Sequence, residues 1–110
     1  MRALYVRCSS ADQKTDRQRV NETDFDLVVE DKCSGAIPFF EREGGKEIKK
    51  LTEQDVIKSL AIYSIDRAGR DLRDIINTIH YFTSKGICIT FLSLENSVKL
   101  TTVHRTKLTT

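Results

Sequence analysis

Residues 60–65, Leu60-Ala61-Ile62-Tyr63-Ser64-Ile65, form a continuous apolar run suited to a strand buried on both faces. Behind it Leu72, Ile75, Ile76, Ile79 and Phe82 recur at helical spacing, with Asp71, Arg73, Asp74 and Asn77 opposite and Gly86 offering a stop. Residues 87–94 then read as the last core strand. Upstream, residues 3–8 are short, apolar and β-prone, and Phe25-Asp26-Leu27-Val28-Val29 reads as a second strand, ended by Glu30-Asp31-Lys32. A short polar helix is expected over residues 11–20. Another is expected over 43–52, although Gly44 and Gly45 weaken its start. An irregular segment, residues 33–40, carries Gly35 and the single proline, Pro38. Strands alternating with helices predict an α/β fold: a mainly parallel central sheet of about four strands with helices on both faces.

A chain of 110 residues makes one compact domain. Its net charge of +2 is too small for the global field to announce a nucleic-acid partner, so local arginine placement must carry that case. Cys8, Cys33 and Cys88 are odd in number, far apart and unaccompanied by an apolar signal segment. That pattern suits a reduced, cytoplasmic setting and indicates neither a disulfide framework nor a metal site. No membrane association is expected.

Side-chain alternation in the first strand turns Leu4, Val6 and Cys8 one way and Tyr5, Arg7 and Ser9 the other. Cys8 therefore reads as packing. Ser9 falls where a strand ends and a helix begins, a position at which a hydroxyl is ordinarily an N-cap. In parallel sheets, however, sites gather at the carboxyl ends of strands. Three stretches fall there: Ser9, the Ser34-Gly35 loop and Asp66-Arg67-Ala68-Gly69-Arg70. Arg67 and Arg70, three apart, would project from one side of a helix start, where backbone N–H groups also favour anions. Taken alone, D-R-x-x-R is a capped, solvated helix start with surface ion pairs. Beside a serine and Arg7 it suits phosphate, which guanidinium groups bind through paired donors.

Together the motifs Y-x-R-x-S, Gln13 and Gln18, D-K-x-S-G and D-R-x-G-R, in that order, resemble the serine recombinases: resolvases, invertases and serine transposases. The resemblance spans roughly residues 1–94. It implies a resolvase-like catalytic domain over 1–95 that cuts and rejoins double-stranded DNA through a 5′-phosphoserine intermediate, without metal or other cofactor. Ser9 matches the nucleophile, and Arg7, Arg67 and Arg70 match the arginines around the scissile phosphate. Arg42 matches the arginine after the D-K-x-S-G loop, and Asp66 the acidic residue of the same site. Gln13 and Gln18 match flanking polar residues. Tyr5, Asp31, Ser34 and Gly35 match positions that shape the pocket, and Lys32 lies within the loop motif.

Two positions depart from the family pattern. Glu43 stands where many members carry proline and adds a negative charge near Arg42, and Ala68 replaces a common leucine. Residues 96–110 are polar, rich in threonine and lysine, and lack the apolar spacing of a long helix. They read as the start of a connection to a missing dimerisation helix and DNA-binding domain. The family implies homodimers that pair into a synaptic tetramer, in a bacterial cell or on its nucleoid. From the other class of function, a noncatalytic α/β module would use the same arginine rim to hold a phosphorylated ligand or protein partner.

Overall fold

In the computed structural model, which describes residues 1–9, 16–19, 22–93 and 98–100, the central strand is β1 (Arg2–Cys8). It lies between β2 (Leu27–Lys32) and β3 (Ser59–Ile62), followed by β4 (Cys88–Phe91) and β5 (Val98–Leu100), in the order β2-β1-β3-β4-β5. The first four strands are parallel, and β5 runs antiparallel to β4. Residues 98–100, grouped by composition with the polar tail, thus complete a fifth strand.

Alternation along β1 divides the core as the pattern requires. Ala3 and Tyr5 join Leu60, Ile62, Ile89 and Phe91 on one face, whereas Leu4 and Val6 join Ala61 on the other. Two helices, α1 (Glu43–Glu53) and α2 (Leu72–Ser84), cover the Tyr5 face through Ile48 and Phe82. Right-handed crossovers explain this placement. The connections from β2 to β3 and from β3 to β4 run the same way across the sheet, so their helices land together. The connection from β1 to β2 runs the opposite way. Its 3-10 turn, Asp16–Arg19, reaches the second face, where Arg19 pairs with Glu30 of β2.

Polar residues move several boundaries away from what the apolar pattern predicts. β2 starts two residues later than expected and continues through Glu30-Asp31-Lys32, because Glu30 pairs with Arg19, Lys32 is exposed and the buried Asp31 has partners of its own. The Asp31 carboxylate takes hydrogen bonds from the Tyr5 hydroxyl (2.7 Å) and the Gly44 N–H (2.7 Å). β3 stops at Ile62, short of the expected residue 65. Beyond it the Gln18 amide occupies β1, accepting from the Arg7 N–H (2.9 Å) and donating to the Arg7 carbonyl (2.8 Å). Residues Ile65–Ala68 instead form a separate 3-10 turn. Of the expected helix at 11–20, the described part is the short turn Asp16–Arg19. On α2 the buried face is rotated from the predicted stripe. Thr78 is fully buried, its hydroxyl donating to the Asp74 carbonyl, while Leu72 and Ile76 are 71% and 56% exposed.

The two glycines that weaken α1 in isolation are demanded by its surroundings. A Cβ on Gly44 would lie 2.6 Å from Asp31 Oδ2, and one on Gly45 would lie 1.9 Å from the Phe39 carbonyl oxygen. Alanine in a helix interior normally gains about 1 kcal/mol over glycine. Overpacking against a backbone atom costs about 1–3 kcal/mol and outweighs that gain at such a separation. Gly45→Ala is therefore expected to lower the urea midpoint of the domain. A raised midpoint would show that the loop around Phe39 yields freely.

Candidate active site

Ser9 follows directly on β1 and is half-buried. The carbonyl of Cys8 accepts the Cys33 N–H (2.9 Å), so the strand end carrying Ser9 runs beside the D-K-x-S-G loop. Arg7 belongs to the same junction. Its Nη1 donates to the Cys33 carbonyl (2.8 Å), and a Cβ placed on Gly35 would stand 3.3 Å from its Nη2. Glycine at position 35 lets the loop lie against that guanidinium. The buried Gln18 fixes the backbone of Arg7 rather than facing outward, which makes it a positioning residue.

Beneath this rim lies a buried polar group built on Tyr5, Asp31 and Arg42. Tyr5 and Arg42 are 0% and 2% exposed, so their polar atoms must find partners within the protein. Arg42 donates through Nη1 to the Tyr5 hydroxyl (3.2 Å) and the Arg67 carbonyl (2.8 Å). Its Nε bonds the Ile37 carbonyl (2.9 Å) and its Nη2 the Gly35 carbonyl (3.4 Å). Its charge also sits over the Phe39 ring, 5.7 Å from the centroid. Burial raises the Tyr5 phenol pKa above its ordinary value, opposed by Arg42 and assisted by Asp31. The phenol therefore stays protonated and relays between the buried cation and anion. Expected as a member of the catalytic set, Arg42 has its guanidinium engaged by four protein acceptors, and ties the loop after β2 to the one after β3.

The third segment differs from a single helix start. Asp66 and Arg67 belong to the Ile65–Ala68 turn, and Asp66 is exposed with its carboxylate bonded by the Ser64 hydroxyl. α2 has its own cap, Asp71, which accepts the Asp74 N–H (2.9 Å). Arg70 lies between the two elements, exposed, its Nε 3.5 Å from Asp71. Gly69 has extended backbone, so glycine is required there for space. A Cβ would meet the Ile75 nitrogen at 2.7 Å and Asp74 Oδ2 at 2.8 Å. That packing allows Asp74, which the motif reading passed over, to accept both the Arg70 N–H and the Phe39 N–H, each at 2.9 Å.

Hydrogen bonds thus link the strand end that carries Arg7 and Ser9 to the Cys33–Gly35 loop, and Arg42 links that loop to the Arg67 carbonyl, at the carboxyl edge of the sheet where the strand order reverses between β1 and β3. Arg7 Nε and Arg67 Nε are buried without a hydrogen-bond partner among the described residues. Ser34 closes its own turn by accepting the Ala36 N–H, and Lys32 is exposed. Gln13 lies outside the described residues. Among the described residues no His, Cys, Asp or Glu cluster has the makings of a metal site, and no helix is long and apolar enough to cross a membrane.

Residues 2–109 match the family described as "Resolvase, N terminal domain". The chain belongs to this family. Among curated members, the DNA-invertase of Escherichia phage P1 is 31% identical over 100 residues, 89% of this chain and 50% of its own length. The serine recombinase Gin of Escherichia phage Mu is 34% identical over 97 residues, 86% of this chain and 47% of its own. The chain therefore spans about half the length of the curated relatives it matches. Among solved structures, the C-terminal catalytic domain of ISC1926 TnpA, an IS607-like serine recombinase, superposes with a TM-score of 0.70 at 27% identity. That match covers 84% of this chain and 69% of the other.

Both departures from the resolvase-family pattern are accommodated. Glu43 opens α1 from an exposed position, where a negative charge favours the helix N-terminus, and it leaves Arg42 in place. Ala68 is fully buried in the core. A groove of about 670 Å³ adjoins the Tyr5, Asp31 and Arg42 group, lined by Asp31, Lys32, Cys33, Glu41, Arg42 and Glu43. Burial and then Asp31 raise the Cys33 thiol above its usual pKa, which disfavours it as a nucleophile.

Proposed function

We propose that this domain cleaves and rejoins DNA strands in site-specific recombination, with Ser9 as nucleophile. The observation that carries the reading is the meeting of the Ser9 strand end, the Gly35 loop and the arginine loop in a resolvase-family chain. A serine hydroxyl beside several guanidinium groups suits phosphoryl transfer, in which negative charge gathers on the nonbridging oxygens. In the proposed step the Ser9 Oγ–P bond forms as the bond from phosphorus to the 3′ oxygen breaks. The proton lost from Oγ ends on the released 3′-hydroxyl. Energy of the broken bond is kept in the phosphoserine ester, so the reverse attack reseals DNA without ATP.

Arg7, Arg67 and Arg70 hold the phosphate in this proposal, and two of them bring desolvated Nε donors that an arriving anion can engage after small rotations. Adjacent cations favour the ionised form of the serine hydroxyl, and Asp66 orients the arginines or takes part in moving the proton. Ser34 and Lys32 border the phosphate path. Tyr5, Asp31, Gln18 and Arg42 support the site from beneath.

Double-stranded DNA is the proposed partner, with dimers pairing into a tetramer and a bacterial cytoplasmic setting. Alone, these residues are expected to bind DNA weakly and without sequence preference, through phosphate contacts. The test is the rate of covalent adduct formation on duplex DNA. Replacing Arg7 or Arg67 with alanine should slow it about 100-fold or more, the usual cost of losing one preorganised donor to transition-state charge. Wild-type rates in both variants would defeat the assignment.

A further inference from the structure

We infer that Asp74 is the positioning residue for Arg70, holding the arginine loop and the loop after β2 on a single carboxylate oxygen. The inference rests on the proposed role of Arg70 at the phosphate. Asp74 Oδ2 accepts the Arg70 N–H and the Phe39 N–H, both at 2.9 Å. These donors come from different connections, 35 and 4 residues away in sequence. Each is a charge-assisted bond, of the stronger class. Asp74 is itself held at both backbone ends. Its N–H is bound by the Asp71 cap (2.9 Å), and its carbonyl accepts the Thr78 hydroxyl (2.9 Å).

A capping residue of this kind would ordinarily return its side chain to the backbone N–H of the N-cap. Here the carboxylate reaches one residue further back, to Arg70. The absence of a side chain on Gly69 makes that reach possible, since a Cβ there would stand 2.8 Å from Oδ2. Arg70 is exposed, so its side chain has little packing to direct it, and the fixed backbone sets its origin. Asp74 thereby joins the second tie between the same loops, from Arg42 Nη1 to the Arg67 carbonyl (2.8 Å).

Because one oxygen serves both donors, asparagine can keep the arrangement and alanine cannot. The experiment compares Asp74→Asn, Asp74→Ala, Arg70→Ala and the Asp74→Ala/Arg70→Ala double variant. A short DNA duplex is titrated at low salt, with amide hydrogen exchange measured on the same proteins. Asp74→Ala should weaken DNA binding by the same factor as Arg70→Ala, with the double variant no worse than Arg70→Ala alone and Asp74→Asn close to wild type. The Arg70 and Phe39 amides should be protected in wild type and lose protection together in Asp74→Ala. Independent, multiplying losses would overturn the positioning role while leaving the phosphate reading intact. Unprotected Arg70 and Phe39 amides in the wild-type protein would overturn it without any variant. Full DNA affinity in Arg70→Ala would overturn the phosphate reading and this inference with it.

Discussion

Replacing Ser9 with alanine is expected to eliminate the covalent protein–DNA adduct while changing DNA affinity little. A phosphoryl group can be transferred only to an atom able to form the new ester, and no neighbouring group substitutes in the proposed geometry. The Cys33 thiol is held protonated by burial and by Asp31, and Asp66 already receives the Ser64 hydroxyl. Binding, by contrast, depends on the guanidinium groups, which the substitution leaves in place. Adduct formation is read on a denaturing gel, and affinity by titration at fixed salt. A noncatalytic phosphate-binding module would bind equally well with either residue and give no adduct with both.

The largest effect on stability is expected at Arg42. Substitution by methionine keeps much of its length and its contact with Phe39 but removes every donor. It leaves the carbonyls of Gly35, Ile37 and Arg67 without that partner, and Asp31 buried without the nearby cation. Breaking a buried charged group by removing one partner costs about 3–5 kcal/mol. Domain stabilities are typically about 5–15 kcal/mol, so this loss takes a large share. Lysine should restore little, since one ammonium cannot span acceptors arranged around a planar fork. Tyr5→Phe, which removes one hydroxyl from the same group, should cost only about 1–2 kcal/mol. Urea denaturation of the three variants gives the order. Equal losses for Arg42→Met and Tyr5→Phe would contradict the picture of Arg42 as the joint between the loops.

The four parallel strands were readable from sequence, β1 most directly because alternation of Leu4 and Val6 against Ala3 and Tyr5 is a consequence of backbone pleat. The fifth, Val98–Leu100, lies in what composition marks as a polar tail. The contiguous motifs were readable too, since each falls where a parallel strand ends. What sequence concealed are interactions between a side chain and distant backbone. Apolar pattern ends β2 at Val29, because nothing local reveals that Tyr5 and Gly44 will satisfy Asp31. It extends β3 to residue 65, because nothing local reveals that Gln18 will take the next place on β1. The motifs give Arg42 a place at the site, but nothing local reveals that the carbonyls of Gly35, Ile37 and Arg67 will close around it. Asp74 looks like an ordinary first-turn acid on α2, and its two distant donors appear only when the chain is folded.

The chemistry ascribed to this site comes down to which atom of the protein carries the DNA. The most direct measurement is mass spectrometric mapping of the adduct after nuclease and protease digestion of the wild-type protein incubated with DNA. A nucleotide phosphate is expected on the peptide spanning residues 8–14, with fragmentation placing it on Ser9. A phosphate carried by Ser34, or by the serine at position 10, would contradict this assignment.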